Sequence, residues 1–204
     1  ITQLMALYML ALEMGRLNGH LDMSEYDRLL SELCKMSDKA KQTLDVKEHM
    51  QKLASERFME HSIFFIGRGI DYALAMEASL KLKEISYIHS EAYAAGELKH
   101  GTIALIENDT LVVALATQKN LVEKTVSNIE EVRARGAYVV SVCEQAEDRV
   151  SAVSDVTINV PDCEELFAPM LAVIPMQLFA YYVSLAKGYD VDKPRNLAKT
   201  VTVE

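Results

Sequence analysis

Four short apolar runs constrain the fold of this chain most strongly. They are SIFFIG at 62–67, LVVALA at 111–116, AYVVSV at 137–142 and VTINV at 156–160. Each is a continuous run, and helical patterns such as the one at 121–135 separate them. Continuous apolar strands that alternate with helices are typical of a parallel sheet covered on both faces. The sequence therefore predicts a three-layer α/β fold.

Three helices are expected before the first strand. Residues 2–17 carry apolar positions around much of a helix, which predicts burial against other elements, and Gly19 supplies a stop signal. Ser24 is expected to begin the second helix, and Ser37 the third, which runs to about residue 59.

A long helical pattern follows the first strand to about Tyr87, and another covers 165–187 with Pro175 as a candidate kink. The remaining tail, GYDVDKPRNLAKTVTVE, is polar and irregular.

The charge of the chain excludes some classes of partner. Its formal net charge is -9 and its isoelectric point is about 5.1. A surface for nucleic acid or an anionic membrane needs a basic patch, so neither partner is expected. A small anionic substrate stays open, because a few focused Lys and Arg side chains can bind it.

Cysteine and histidine usage argues against disulfides and metals. Cys34, Cys143 and Cys163 share no CxxC spacing, and their odd number suits neither a disulfide framework nor a four-cysteine zinc site. The five histidines form no metal-ligand pattern. A reduced, cytoplasmic chain without metal or cofactor is expected.

The opening segment ITQLMALYMLALEMG is apolar, but it lacks a basic start and contains Glu13. It therefore fits neither a signal peptide nor a bilayer span. Since it begins without Met and inside a helical pattern, we expect the chain to be a part of a longer protein.

The run KLKEISYIHSEAYAAGELKHG at 81–101 concentrates acid-base groups. Lys81 and Glu84 are three residues apart, and so on one face of a helix, where a carboxylate can accept a proton while the ammonium stabilises negative charge. Glu77 lies four residues before Lys81, so the same residues also make an ordinary ion-pair ladder, worth about 0.3–0.5 kcal/mol per pair. Spacing alone favours the ladder.

The turn that contains His100 and the turn Gly67-Arg68-Gly69 are candidate ligand-binding turns. His100 is a candidate because the histidine side chain, as a residue type, can pass protons to a sugar or carbonyl oxygen near neutral pH, although a lone histidine in a turn is more often solvated or capping. The turn Gly67-Arg68-Gly69 joins a strand to a helix and could receive an anion. It lacks the third glycine of a dinucleotide fingerprint, and a structural turn is the favoured interpretation. Both turns are candidates for the ligand-binding carboxyl edge of the sheet.

Lys199 is a further candidate in the tail. A lysine that folds into an apolar cleft can lose its proton and form a Schiff base with a carbonyl substrate. The alternative is a disordered, solvated end. Leu197, Val201 and Val203 alternate with polar residues, which indicates that the tail packs onto other residues.

The segments SLKLKEISY, SEAYAAGELKHG and DKPRNLAKTVTVE together resemble the isomerase half of the glucosamine-6-phosphate synthases, the glutamine:fructose-6-phosphate aminotransferases. The middle segment also resembles the wider family of sugar isomerase (SIS) domains. The resemblance implies an SIS fold in a homodimer that converts fructose 6-phosphate and glutamine-derived ammonia to glucosamine 6-phosphate, a step toward UDP-N-acetylglucosamine.

The resemblance also implies a role for each matching residue. Glu84 matches the base that moves a proton between C1 and C2, and Lys81 matches the lysine that assists it. His100 matches the histidine that opens the sugar ring, reaching the site of the neighbouring subunit. Lys199 matches the lysine that forms a Schiff base with the open-chain ketose. Thr102 departs from the family, which usually has proline at that position.

Large parts of the family's full-length protein have no counterpart here. The glutaminase domain and most of the first SIS subdomain, with its phosphate-binding loop, are missing, so the isolated chain is expected to be inactive. Residues 1–20 are expected to be the last helix of that subdomain, 21–188 the second SIS subdomain and 189–204 a C-terminal tail. The alternatives are a non-catalytic sugar-phosphate-binding or dimerisation module, and an SIS enzyme for another amino sugar phosphate.

Overall fold

The centre of the fold is a parallel sheet, as the sequence predicts. The structure is a computed structural model that describes residues 1–145 and 147–197. Its five described strands pair in the order β2-β1-β3-β4-β5, all parallel. They are β1 (Ser62–Gly67), β2 (His89–Ala94), β3 (Leu111–Ala116), β4 (Tyr138–Glu144) and β5 (Val156–Val160).

Helices cover both faces of this sheet. One face packs against α1–α4 and α7, and the other against α5 and α6, which gives the three predicted layers. The described helices are α1 (Thr2–Leu17), α2 (Met23–Thr43), α3 (Lys47–Arg57), α4 (Ile70–Ser86), α5 (Val122–Arg133), α6 (Asp148–Ala152) and α7 (Ala168–Ala186).

The alternation of side chains along β1 shows how one strand serves two cores. Ile63 and Phe65 join the first core, while Phe64 and Ile66 join the second. Helix α7 is apolar on all sides because it crosses the first core, and it runs through Pro175. The segment containing it is long and apolar enough for a membrane span, but 72% of its most apolar window is buried inside the fold.

Strand β2 was not predicted, because its sequence HSEAYA is polar. It pairs with β1 alone and forms one edge of the sheet, where its burial is partial. An edge strand with one packed face does not need a continuous apolar run.

The predicted starts of the second and third helices were wrong. The Asp22 carboxylate caps α2 by accepting a hydrogen bond from the backbone N–H of Glu25 at 2.8 Å, so Ser24 lies inside the first turn. Helix α2 also continues through Ser37, since buried Leu33 and Met36 extend its apolar face. The third helix begins only at Lys47.

The predicted burial of α1 was also wrong for this chain. Leu12 is the buried residue of this helix, whereas Leu7, Leu10 and Leu17 are 62%, 57% and 68% exposed. Helix α1 therefore presents an apolar face to solvent.

Candidate functional site

The topology places the candidate residues at two different ends of β2. Helix α4 begins just after the carboxyl end of β1 and runs back to the amino end of β2. Lys81 and Glu84 lie in its last two turns, and so near the amino edge of the sheet. His100 follows the carboxyl end of β2. A six-residue strand is about 17–20 Å long. Within one chain, His100 is therefore separated from Lys81 and Glu84 by about the length of β2.

Lys81 and Glu84 are in direct contact. The Lys81 ammonium lies 2.5 Å from Oε2 of Glu84 and 3.9 Å from Oε1 of Glu77. The side chains of Lys81 and Glu84 are 34% and 27% exposed, so both are partly shielded from water. The ladder predicted from spacing exists, but its short contact is the one to Glu84. This arrangement can hold a carboxylate ready to accept a proton beside a cation that stabilises negative charge.

The end of α4 fixes the turn that carries this pair. Leu82 is fully buried, and its carbonyl accepts a hydrogen bond from the Ser86 hydroxyl at 2.7 Å. The same hydroxyl accepts from the backbone N–H of Ile88 at 3.3 Å. Tyr87 then ends the helix in a left-handed conformation with φ of 60°.

The tail returns to this end of α4. The backbone N–H of Arg195 donates to the Tyr87 hydroxyl at 2.9 Å, and the Tyr189 ring lies 4.8 Å from the Tyr87 ring. A cavity of about 420 Å³ is lined by Glu84 and by the last described tail residues, including Leu197. Lys199 itself lies outside the described residues, so its predicted role stays a prediction.

His100 lies in an exposed turn. It closes the 3-10 turn Leu98–His100, and its backbone N–H donates to the Glu97 carbonyl at 3.0 Å. Leu98 is buried and anchors the turn to the second core. The imidazole is thus free to face solvent or a neighbouring molecule in this structure.

The Gly67-Arg68-Gly69 turn has a clear packing role. A Cβ at Gly67 would lie 2.5 Å from the backbone carbonyl carbon and oxygen of Asp71, so glycine lets α4 approach β1 closely. Arg68 packs against Gly96 in the turn after β2. The two turns therefore adjoin at the carboxyl edge of the sheet.

Asp71 is a buried residue that the sequence reasoning missed. Its carboxylate accepts hydrogen bonds from the Thr117 backbone N–H at 2.8 Å and from the Thr117 hydroxyl at 2.6 Å. Burial raises the pKa of Asp71, against the opposing effect of these bonds. The bonds tie the carboxyl end of β3 to the first turn of α4. The signal available in sequence was an acidic residue in the first turn of a helix.

The three cysteines differ in exposure, since Cys34 is exposed, Cys143 is buried and Cys163 is half-buried. Burial raises the pKa of Cys143 and of Cys163 to about 12, so neither thiol is a nucleophile near neutral pH. Across residues 1–145 and 147–197, no three His, Cys, Asp or Glu side chains cluster closely enough to hold a metal ion.

Curated relatives match the whole chain. It is 56% identical over 203 residues to the glutamine--fructose-6-phosphate aminotransferase [isomerizing] of Caldanaerobacter subterraneus, and 55% identical over 203 residues to that of Clostridium tetani. Each match covers 100% of this chain and 33% of the relative. The chain thus spans about a third of the length of these relatives.

Solved structures agree with the fold. The C-terminal domain of glucosamine-fructose-6-phosphate aminotransferase from Francisella tularensis superposes with a TM-score of 0.88 at 34% identity, over 92% of this chain and 53% of that one. The tagatose-6-phosphate ketose/aldose isomerase structure from Clostridium novyi, described as putative, has a TM-score of 0.76 at 20% identity, over 89% of this chain and 50% of that one, and supports the fold alone. The family model for the SIS domain matches residues 58–187, and the chain therefore belongs to the SIS domain family.

Proposed function

We propose that the chain supplies the isomerase part of a longer aminotransferase that makes glucosamine 6-phosphate from fructose 6-phosphate and glutamine-derived ammonia. The names and the 56% and 55% identities of the curated relatives support this proposal. So does the matching third of their length, which leaves room for a glutaminase elsewhere in such a protein. The enzyme would be a cytoplasmic homodimer feeding the synthesis of UDP-N-acetylglucosamine.

Glu84 supports this proposal most strongly, because its carboxylate contacts Lys81 and its side chain lines the cavity beside the tail. A ketose-to-aldose shift needs one base that moves a proton between adjacent carbons, and Glu84 has the chemistry and the partial burial for that role. Lys81, at 2.5 Å, assists by stabilising the carboxylate and the negative charge that develops on the substrate.

Lys199 completes the carbonyl chemistry in this proposal. It follows Leu197 by two residues, and two residues of extended chain span about 7 Å at most. Because Leu197 and Glu84 line the same cavity, the chain is long enough for Lys199 to form a Schiff base close to the Glu84 carboxylate.

His100 opens the sugar ring in this proposal, and it acts on the site of the neighbouring subunit. The separation of His100 from Glu84 by the length of β2 supports a shared site, because one chain cannot bring both to one substrate in this arrangement. A homodimer can supply the missing histidine from a second copy.

The domain boundaries remain part of the proposal: 1–20 as the last helix of a first SIS subdomain, 21–188 as the second subdomain and 189–204 as the tail. The exposed apolar face of α1 supports the first assignment, since such a face suits packing against another unit. The phosphate-binding loop lies in that other unit, so the isolated chain is expected to be inactive.

The proposal is tested with Glu84→Gln in the full-length enzyme, which removes the base while keeping the shape. We expect isomerisation to fall at least about 100-fold, because a general base contributes roughly that much. Glu77→Gln is the matched control, since Glu77 contacts the same lysine at 3.9 Å from one turn away, and it should retain activity. Full isomerase activity of Glu84→Gln would overturn the role of Glu84 as the base.

A further inference from the structure

We propose that Arg68 is a positioning residue that holds the His100 turn in place for ring opening. The inference rests on the proposed function of His100. Arg68 lies in a turn that fits no nucleotide-binding motif, and its side chain contacts two other elements, the turn after β2 and helix α5.

The first contact is with Gly96. A Cβ built at Gly96 would lie 2.7 Å from Nη2, 3.3 Å from Cζ and 3.4 Å from Nη1 of Arg68. The guanidinium therefore occupies the space that a side chain at position 96 would take. Gly96 is not among the glycines with a left-handed backbone, so the contact, rather than the backbone conformation, requires the missing side chain.

The second contact anchors the guanidinium to α5. Its Nε donates to Oδ1 of Asn128 at 2.8 Å, and Nδ2 of Asn128 donates to Oε2 of Glu131 at 3.2 Å. Asn128 is only 4% exposed, so its amide is fixed by packing as well as by hydrogen bonds. Arg68 thus bridges a rigid helix and the turn after β2.

The turn passes this constraint on to His100. The backbone N–H of Ala95 donates to the Gly67 carbonyl at 2.9 Å, and that of Glu97 donates to the Ala94 carbonyl at 2.8 Å. His100 follows Gly96 by four residues and closes the next hydrogen-bonded turn on Glu97. A shift of Gly96 therefore displaces His100, while Glu84 lies at the far end of β2.

The test uses Arg68→Met and His100→Ala, singly and together, in the full-length enzyme. Misplacement of a catalytic group by about 1 Å can cost on the order of 100-fold, so Arg68→Met should lower kcat/KM for fructose 6-phosphate by roughly that factor. In the His100→Ala background it should lower kcat/KM no further, since Arg68 acts through His100. Arg68→Lys should not rescue, because an ammonium lacks the planar fork.

A second substrate separates positioning from loss of structure. In 5-deoxyfructose 6-phosphate the hydroxyl that closes the ring is absent, so the sugar needs no ring opening. Arg68→Met and His100→Ala should each turn over this compound at the rate of the unmodified enzyme. Gly96→Ala, whose methyl group displaces the guanidinium, should show the same pattern with Arg68 intact, and it serves if Arg68→Met does not fold.

Each result decides the question. The role of Arg68 alone would be overturned if the losses in kcat/KM multiply in the double variant, or if Arg68→Met loses equal activity on both substrates. It would also be overturned if Arg68→Met and Gly96→Ala are normally active while His100→Ala is impaired. Normal activity of His100→Ala on fructose 6-phosphate would overturn the proposed role of His100 and that of Arg68 with it.

Discussion

The backbone N–H of Arg195 donates to the hydroxyl of Tyr87 at 2.9 Å, and the Arg195 guanidinium lies 4.0 Å from the centre of the Tyr87 ring. Tyr87 caps α4 three residues after Glu84, so this pair fastens the tail beside the candidate base. The two residues are 108 positions apart in the chain. The contact links the carbonyl chemistry proposed for the tail to the proton transfer proposed for the helix.

Tyr87→Phe should therefore loosen the tail with little effect on the fold. It removes the hydroxyl that accepts from Arg195 but keeps the ring under the guanidinium. We expect the free energy of unfolding to fall by about 0.5–1.5 kcal/mol and isomerase activity to fall several-fold. Denaturant unfolding and steady-state assays of the full-length enzyme measure these effects. Tyr181→Phe, on exposed α7 surface, is the control that should change neither, and equal activities of the two variants would contradict the link.

Thr117→Val should destabilise the fold in a pH-dependent way. Burial raises the pKa of Asp71 above its unfolded value, so the native state disfavours the charged carboxylate. The stability that this residue contributes is present below the unfolded pKa of about 4 and is lost as the pH rises through the higher native pKa. Removing the Thr117 hydroxyl takes away one donor and raises that pKa further. Thr117→Val should lower the free energy of unfolding by about 1–3 kcal/mol at neutral pH, and by less at pH values where Asp71 is protonated.

Thr43→Val provides the matched control for this prediction. Thr43 is also buried, but its hydroxyl donates to a backbone carbonyl, that of Lys39, at 2.8 Å. Because a carbonyl carries no titrating charge, Thr43→Val should destabilise the fold by the same amount across the pH range. Urea unfolding of both variants from pH 4 to 8 measures the difference, and a flat response of Thr117→Val would show that the charge of Asp71 does not matter there.

Leu10→Ser tests the role of α1. Leu10 is 57% exposed, so the substitution should change the stability of the isolated chain by less than about 0.5 kcal/mol. In the full-length enzyme it should be clearly destabilising, by about 1 kcal/mol or more, if α1 packs against the first subdomain. Leu12→Ser, at a buried position of the same helix, should destabilise both proteins. A neutral Leu10→Ser in the full-length enzyme would argue against the proposed domain boundary.

Most of the fold could be predicted from the sequence, because the central strands of the sheet are buried on both faces. The β1 and β3 runs coincide with strands because central parallel strands must be continuously apolar. The polar strand β2 carries no such signal, because its position at the sheet edge follows from pairing with β1. The apolar residues of α1 likewise predicted that this helix is buried. Apolar content does not show whether the surface that buries the helix belongs to this chain or to another unit.

The candidate site divides in the same way. Local spacing brings Lys81 and Glu84 together, since residues three apart share a helix face. The contact of Arg195 with Tyr87 and the approach of Arg68 to Gly96 join distant segments, which periodicity cannot reveal. The separation of His100 from Glu84 depends on the direction of α4 relative to β2, and so on the topology.

Trapping the Schiff base tests whether this chain carries the carbonyl and proton-transfer groups of an isomerase. The full-length enzyme and the isolated 204-residue chain are each treated with fructose 6-phosphate and borohydride, then digested and analysed by mass spectrometry. We predict a reduced sugar adduct on Lys199 of the full-length enzyme and none on the isolated chain. An active full-length enzyme without an adduct on Lys199 would overturn the Schiff-base role of Lys199.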